Sequence, residues 1–336
     1  MINKIYEYIK NFIKECYREL IVLFILFLVF YIELPYVIYA PGGTINLNER
    51  IIIEDGYDSG GEINMSYVTM VKGTIPNILL SKIIKNWDLD KASNITYEGD
   101  TVKETLQKDK LSMEEAQDNA TIAAYQLTKH DLEITKYHNI VTYITDEADT
   151  TLQEYDEIIA INDKMVTSLE NMKEIVNSFE KGDTLDIKVI RNNKEVMATA
   201  KIYQTDDGLK VGVTIVTNVD FKTDPEIEIE SKNSESGPSG GLMTALAIYN
   251  KLTKEDITKE KKVAGTGTID ASGNVGEIGG VKYKVLGAID DEMDIFICPV
   301  ENYEEAVKTL NSTDDDLIII KVKTLNDAIN QLQKLS

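Results

Sequence analysis

An uninterrupted apolar run from Leu20 to Ile32 lies near the start of this chain and limits its fold more than any other feature. Beyond Glu33 and Pro35 the apolar character continues over residues 36–39, which makes about the twenty residues that a spanning helix needs. The run therefore predicts a transmembrane anchor over residues 20–40.

The residues before this run are charged and amphipathic. Apolar positions recur there at helical spacing, which predicts a cytoplasmic amphipathic tail over residues 1–19. The basic residues of this tail are Lys4, Lys10, Lys14 and Arg18. They place the N-terminus in the cytoplasm and the bulk of the chain outside the cytoplasmic membrane. A cleaved signal peptide is the alternative, but the long charged segment and the lack of a small-x-small pattern at residues 39–41 favour a retained anchor.

Charge and residue usage exclude several classes of function. A formal net charge of −22 over 336 residues argues against nucleic-acid binding, because phosphate contacts need clustered Lys and Arg. The two cysteines, Cys16 and Cys298, would lie on opposite sides of the membrane and could not pair. The two histidines, His130 and His138, lack the spacing of a zinc site. Since no phosphate-loop motif is present either, we expect no cofactor, no metal and no bound nucleotide.

The chain is long enough for two or three domains. Residues 41–128 mix short β-like runs with two helical ones, which predicts an extracytoplasmic α/β region without a recognisable chemical constellation. Residues 129–204 alternate three strand-like runs with one helical run. This second segment resembles a PDZ domain, and the resemblance is carried by residues 155–164 (YDEIIAINDK) and by the strand that ends at Arg191.

The PDZ resemblance implies a β-rich domain that binds an extended peptide along an exposed strand edge. Tyr155 stands where the family usually has glycine, and no glycine loop for carboxylate binding precedes Ile140. A spacer that only positions its neighbour is the alternative interpretation.

A glycine-rich stretch, Gly237-Pro238-Ser239-Gly240-Gly241, lies between a strand-like run and a helix-like run. Free N–H groups in a first helical turn point at any negative charge that develops beside them. Ser239 is therefore a candidate nucleophile beside an oxyanion site. From this stretch alone, a glycine-rich turn with a serine helix cap is the simpler explanation.

A candidate base lies downstream, where residues 278–288 begin with a glycine pair and continue as a short amphipathic helix. A lysine serves as a general base only where its ammonium form is disfavoured, and Lys282 and Lys284 are both candidates. Helical phase leaves the choice open, and it places Lys282 nearer the centre of the apolar face if the helix starts at Val281.

Together these two stretches resemble the peptidase domain of the Lon family, whose members use a Ser-Lys dyad. The resemblance covers residues 205–336 and includes residues 296–302 (FICPVEN), which are similar to a later family strand and turn. It implies that Ser239 is the nucleophile, that Lys284 is the base and that Thr266 orients the lysine amine.

The same resemblance implies supporting roles for Gly237, Pro238 and Gly240. Ser236 stands where ATP-dependent members of the family often carry an acidic residue. This departure concerns the resting state of the site rather than the dyad itself.

An anchor, a PDZ-like module and a Lon-type domain without an ATPase together resemble the membrane-anchored YlbL-like peptidases of Gram-positive bacteria. The resemblance implies an α+β multidomain chain with one transmembrane helix, a β-rich PDZ-like domain and a C-terminal α/β peptidase domain. It further implies an ATP-independent serine endopeptidase that cleaves secreted peptides or small secreted and membrane proteins. A non-catalytic membrane scaffold and a phosphate-binding role for the glycine-rich turn are the alternatives.

Overall fold

The structure is a computed structural model that describes residues 2–97, 99–206 and 208–335. The α-helices in those residues are α1 (Ile2–Tyr31), α2 (Ile75–Leu80), α3 (Val102–Thr128), α4 (Leu169–Asn177), α5 (Gly241–Leu252), α6 (Val281–Asp290), α7 (Tyr303–Leu310) and α8 (Leu325–Lys334). The β-strands are β1 (Glu33–Asn46), β2 (Ile51–Ile53), β3 (Glu62–Thr74), β4 (Asp88–Lys91), β5 (Asp131–Ile144), β6 (Glu157–Ile161), β7 (Lys164–Met165), β8 (Thr184–Arg191), β9 (Lys194–Lys201), β10 (Tyr203–Thr205), β11 (Gly208–Lys210), β12 (Val213–Asp224), β13 (Ile227–Ile229), β14 (Lys262–Gly265), β15 (Thr268–Ile269), β16 (Val275–Gly276), β17 (Ile295–Pro299) and β18 (Ile318–Val322).

Helix α1 ends at Tyr31 and the chain continues as strand β1, so residues 33–40 of the anchor predicted over residues 20–40 form a strand instead of a helix. Pro35 explains the change, because proline lacks an N–H and disfavours helical angles in the residue before it. The β-branched and aromatic residues that follow favour a strand, and Val37 and Ile38 are buried in β1. Among the described residues, no helix is both long enough and apolar enough to cross a bilayer.

A six-stranded sheet forms the larger domain, with the strand order β18-β17-β14-β3-β1-β4. The first four strands run parallel to one another, and β1 pairs antiparallel with both β3 and β4. The sheet thus joins strands from the region predicted over residues 41–128 to strands from the domain predicted over residues 205–336. Residues from both of these regions therefore belong to one sheet.

Helices cover both faces of this sheet. On one face α3, α5 and α8 bury apolar side chains against β3, β14 and β17. On the other face α6 and α7 bury theirs against β14 and β17. Because successive side chains of a strand point to opposite faces, Val263 belongs to the first core and Ala264 to the second. The sheet is therefore buried on both sides, as parallel sheets require.

A second sheet, with the strand order β12-β5-β6-β8-β9 and β7 attached to β6, forms the smaller domain. Helix α4 buries Met172, Ile175 and Val176 in its core. Strand β12 lies beyond residue 204, where the smaller domain was predicted to end. It pairs with β5 along its length, from Val213 opposite Ile144 to Asp224 opposite Asp131.

Helix α3 contacts both domains. One of its faces lies in the first core of the larger domain. From the same helix, Glu115 and Asp118 accept hydrogen bonds from the N–H groups of Thr217 and Val219 in β12, at 2.8 and 2.9 Å. The helix therefore closes part of the outer edge of the smaller domain's sheet.

Candidate active site

Ser239 lies in the middle of a short 3₁₀ turn, Pro238–Gly240, that leads directly into α5. Gly237 before the turn has φ +90°, a backbone conformation that residues with a Cβ rarely adopt. A Cβ on Gly240 would lie 2.7 Å from the sulfur of Met65 in β3. The two glycines therefore let the turn bend sharply and lie against the sheet, which holds the Ser239 hydroxyl at the N-terminus of α5.

The connection before this turn is longer than the direct strand-to-helix passage expected from the sequence. Strand β13 ends at Ile229, and residues 230–237 include three serines, one asparagine and one glycine, which favour turns. At its end, the N–H of Gly237 donates to the carbonyl of Asp109 in α3, at 2.9 Å. The connection is thus tied to α3 just before the turn begins.

Lys284 is the lysine that reaches the serine. Its Nζ lies 2.7 Å from Ser239 Oγ and 2.8 Å from Thr266 Oγ1. The side chain points into the same face of α6 as the buried Val281 and Val285, and Lys284 itself is only 3% exposed. Burial disfavours the charged ammonium and lowers the pKa of Lys284 to about 7. About half of the amine is therefore neutral near pH 7 and able to accept a proton.

Thr266 links the two members of this pair. Its hydroxyl donates to the main-chain carbonyl of Ser239 at 2.9 Å, and because that uses its one proton, it must accept an N–H from Lys284. Thr266 is completely buried. Its position fixes both the direction of the amine and the start of α5, which is the geometry expected of an orienting residue.

Lys282 points the other way. Its Nζ lies 2.6 Å from the carboxylate of Asp88 in β4, which also accepts a hydrogen bond from the Tyr283 hydroxyl at 2.8 Å. The helix begins at Val281 after Gly280, as predicted, yet its apolar face is centred between positions 281, 284 and 285. Sequence reasoning missed Asp88, because 194 residues separate it from Lys282 and no local pattern indicates such a contact.

Other chemistries find little support in the described part of the chain. No group of three or more His, Cys, Asp or Glu side chains there is arranged to hold a metal ion. The side-chain hydrogen bonds of the two histidines go to residues outside the Ser239 site. An amine, rather than an imidazole, is thus the group placed to take the serine proton.

Comparison with known sequences matches both domains to families. Residues 206–334 match the Lon protease (S16) C-terminal proteolytic domain, and residues 126–202 match the PDZ domain. The resemblance to a PDZ and Lon-type peptidase is thereby confirmed for these two segments.

Individual relatives show the same likeness over part of the chain. The Lon protease of Neorickettsia sennetsu is 32% identical over 100 residues, covering 30% of this chain and 12% of that protein. The Lon protease of Campylobacter jejuni is 33% identical over 96 residues, covering 28% of this chain and 12% of that protein. The match thus spans about an eighth of the length of either relative.

Among solved structures, the chain is similar to the PDZ domain of the SdrC-like protein from Listeria monocytogenes. The sequence identity is 24%, the TM-score is 0.23, and the alignment covers 25% of this chain and 93% of that chain.

Proposed function

We propose that this chain, in which residues 126–202 match a PDZ domain and residues 206–334 a Lon-type proteolytic domain, is a serine peptidase whose dyad is Ser239 and Lys284. The observation that carries the proposal is the 2.7 Å contact between Lys284 Nζ and Ser239 Oγ. Contacts of a surface lysine would leave its ammonium charged, whereas burial lowers the pKa of Lys284 to about 7. The pair is therefore poised for proton transfer.

In the first half of the reaction, Ser239 Oγ attacks the carbonyl carbon of the scissile peptide bond while Lys284 Nζ takes the hydroxyl proton. The N–H groups of Gly241 and Leu242 already donate to the carbonyls of Pro238 and Gly267. The N–H groups of Ser239 and Gly240 are thus the candidates for holding the oxyanion. Lys284 then gives its proton to the leaving amine, and the peptide bond breaks to form an acyl-enzyme.

In the second half, the neutral Lys284 amine accepts a proton from a water molecule, which attacks the acyl carbon. The proton returns to Ser239 Oγ as the ester bond breaks, and the carboxylic acid product leaves and loses its own proton to solvent. Every proton transferred to or from Ser239 passes through Lys284, so the same amine serves both halves.

The 336 residues contain no phosphate-loop motif, so we expect cleavage to proceed without ATP. Because these 336 residues contain no motif of an unfolding motor, we propose flexible peptides, chain termini and small secreted or membrane proteins as the substrates, and compact folded proteins should resist. For location, we propose that both domains act outside the cytoplasmic membrane of a Gram-positive-type cell. Digestion of these domains by protease added to intact protoplasts would support that location, and protection of both would contradict it.

The direct test of activity is labelling with a fluorophosphonate probe. A serine activated by a neutral amine should form a covalent adduct on Ser239, located by mass spectrometry of the digested protein, and Ser239→Ala should abolish it. A folded wild-type protein that stays unlabelled and cleaves no peptide would instead favour the non-catalytic scaffold.

For the PDZ domain, we propose that it recruits substrate along the outer edge of β12. Part of that edge is closed, because Glu115 and Asp118 of α3 bind the N–H groups of Thr217 and Val219. By the alternation of the strand, the N–H groups of Val213 and Ile215 point the same way, and residues 213–216 form the stretch that an extended peptide can pair with.

Hydrogen exchange tests this pairing. In the inactive Ser239→Ala protein, saturation with an unfolded polypeptide that the wild type cleaves should slow amide exchange over residues 213–216. Strand β9, at the opposite edge of the same sheet, should exchange at an unchanged rate. Unchanged exchange over residues 213–216 would contradict recruitment at this edge and favour a PDZ domain that only positions its neighbour.

A further inference from the structure

Ser66 in β3 carries a hydroxyl that has no hydrogen-bond partner among the described residues, although the residue is only 3% exposed. A buried hydroxyl without a partner destabilises the fold, since water would have bound it in the unfolded chain. Native proteins contain few such groups, and each one calls for an explanation. The position of Ser66 in the sheet supplies one.

Ser66 lies beside Thr266. Strands β3 and β14 are parallel with Met65 opposite Gly265, so the next residue on each chain is Ser66 and Thr266. Neighbouring strands lie about 4.8 Å apart. Residues that lie side by side on neighbouring parallel strands point to the same face of the sheet. The Ser66 side chain therefore lies next to that of Thr266, which binds Lys284.

The alternation of side chains along β3 agrees with this placement. Met65 faces the α5 side, where its sulfur comes close to Gly240. Val68, on the opposite parity, contacts the start of α6 near Gly280. Ser66 is two residues before Val68 in the strand, so both side chains point to the same face. Ser66 therefore faces α6, the helix that carries Lys284.

Lys284 has one N–H more than its two observed partners use. A neutral amine has two N–H groups and one lone pair. The Ser239 hydroxyl can donate to the lone pair, and Thr266 accepts one N–H because its own proton goes to the Ser239 carbonyl. One N–H is left over in the neutral amine, and the ammonium formed by proton transfer has three donors and no lone pair.

We propose that Ser66 is a positioning residue of the dyad, whose hydroxyl accepts the N–H of Lys284 that neither Ser239 nor Thr266 takes as the proton moves. The proposal rests on the proposed peptidase function and deepens it. The flexible stem of a lysine lets its nitrogen shift between close partners. Ser66 thereby stabilises the ammonium in the half of the cycle in which Ser239 is bonded to substrate and no longer holds the amine.

The consequence is an effect on the base that packing alone would not produce. Without the Ser66 hydroxyl the ammonium loses an acceptor, so its formation becomes less favourable and the pKa of Lys284 falls further. Acylation should slow by about tenfold, as expected for one lost hydrogen bond to a charged group. The pH range over which the acylation rate rises should move to lower pH. The Cys298 thiol in β17 stays neutral from pH 6 to pH 10, because burial raises its pKa to about 12.

The experiment compares Ser66→Ala and Ser66→Thr with the wild type in single-turnover acylation of the full chain by an activated ester, from pH 6 to pH 10. Ser66→Ala should lower the maximal acylation rate at high pH and should move the rise of the rate to lower pH. Ser66→Thr keeps the hydroxyl and should restore both values. Thr105→Val is the matched control, since Thr105 Oγ1 in α3 is another buried hydroxyl without a partner. It should leave the acylation profile unchanged.

Melting temperature supplies a second readout. Removing an unpartnered buried hydroxyl should preserve or raise the melting temperature in both Ser66→Ala and Thr105→Val, so slow acylation in the first cannot be blamed on unfolding. An unchanged acylation rate and pH profile in Ser66→Ala, or an equal loss in Thr105→Val, would overturn the proposal. A wild-type protein that is not acylated at Ser239 would overturn the peptidase function itself, which keeps the two failures distinct.

Discussion

Lys284→Ala should abolish acylation of Ser239 while leaving the protein folded. A base that carries the proton contributes about two to four orders of magnitude in rate. Since nucleophile and base act as a unit, losing either should cost nearly as much as losing both. Lys284→Ala, Ser239→Ala and the double variant should therefore be equally inert in single-turnover acylation by an activated ester.

Two further lysine variants sharpen this prediction. Lys284→Arg should fail as well, because a guanidinium stays protonated and cannot accept the serine proton. Lys282→Ala is the matched control on the same helix. It loses the ion pair with Asp88 and the cation–π contact with the Tyr283 ring, and it should acylate within about tenfold of the wild type. Normal acylation by Lys284→Ala together with failure of Lys282→Ala would reverse the assignment.

The assignment of Lys284 as the base also predicts how the acylation rate changes with pH. Because the pKa of Lys284 is lowered to about 7, the active neutral amine should gain population as pH rises through that value. Acylation should fall by about tenfold for each pH unit well below 7 and level off above 8, where the amine is fully neutral. If the acylation rate rose near pH 10 instead, Lys284 would be solvated in the working enzyme.

Lys108→Met should give the largest loss of stability. The Lys108 side chain in α3 is 2% exposed, and its Nζ lies 2.8 Å from Asp100 and 2.7 Å from Glu154. Removing the cation leaves two carboxylates facing each other, a change that typically costs about 3–5 kcal/mol at buried sites. We expect about 3 kcal/mol, because the Glu154 side chain is 36% exposed and water can screen it.

Urea unfolding measures this loss. Lys103→Ala, an exposed lysine of the same helix, is the control and should change the free energy of unfolding by less than about 0.5 kcal/mol. Adding Asp100→Asn to Lys108→Met should recover part of the loss, because one of the two unpaired charges is then gone. Equal stabilities of Lys108→Met and the wild type would show that the cluster contributes nothing net.

The meeting of Ser239, Lys284 and Thr266 was expected because their motifs resemble those of the Lon peptidase domain, and glycines determine the local geometry around Ser239 and Lys284. Gly237 and Gly240 shape the turn before α5, and the glycine pair ending at Gly280 starts α6 at Val281. Periodicity could not choose between Lys282 and Lys284, because these two residues lie on opposite sides of the apolar face that the pattern predicts for the helix. The choice depends on contacts with strands that are distant in sequence, and their catalytic roles stay predictions until the variants are made.

The pairing of distant strands was less predictable. The apolar run of residues 36–39 suits a membrane helix by hydropathy and a buried strand by its β-branched and aromatic residues. Only the place next to β3 and β4 decides between them. Likewise β12 lies after the apparent end of the PDZ-like pattern, and nothing local shows that its partner is β5. Non-local pairing of this kind leaves no periodic trace in the sequence.

The adjacency of β3 and β14 has a consequence for the order of assembly during synthesis. The PDZ domain interrupts the proteolytic domain, because its strands β5 to β12 fall between these two neighbours. A ribosome completes the PDZ segment first, and domains generally fold as units while the chain emerges. The proteolytic sheet must instead wait for residues 262–265 to close on a strand made long before, a slow step for non-local pairing. Ser239 and Lys284 are brought together only by that late closure, so the nascent chain carries no assembled dyad while most of it is being made.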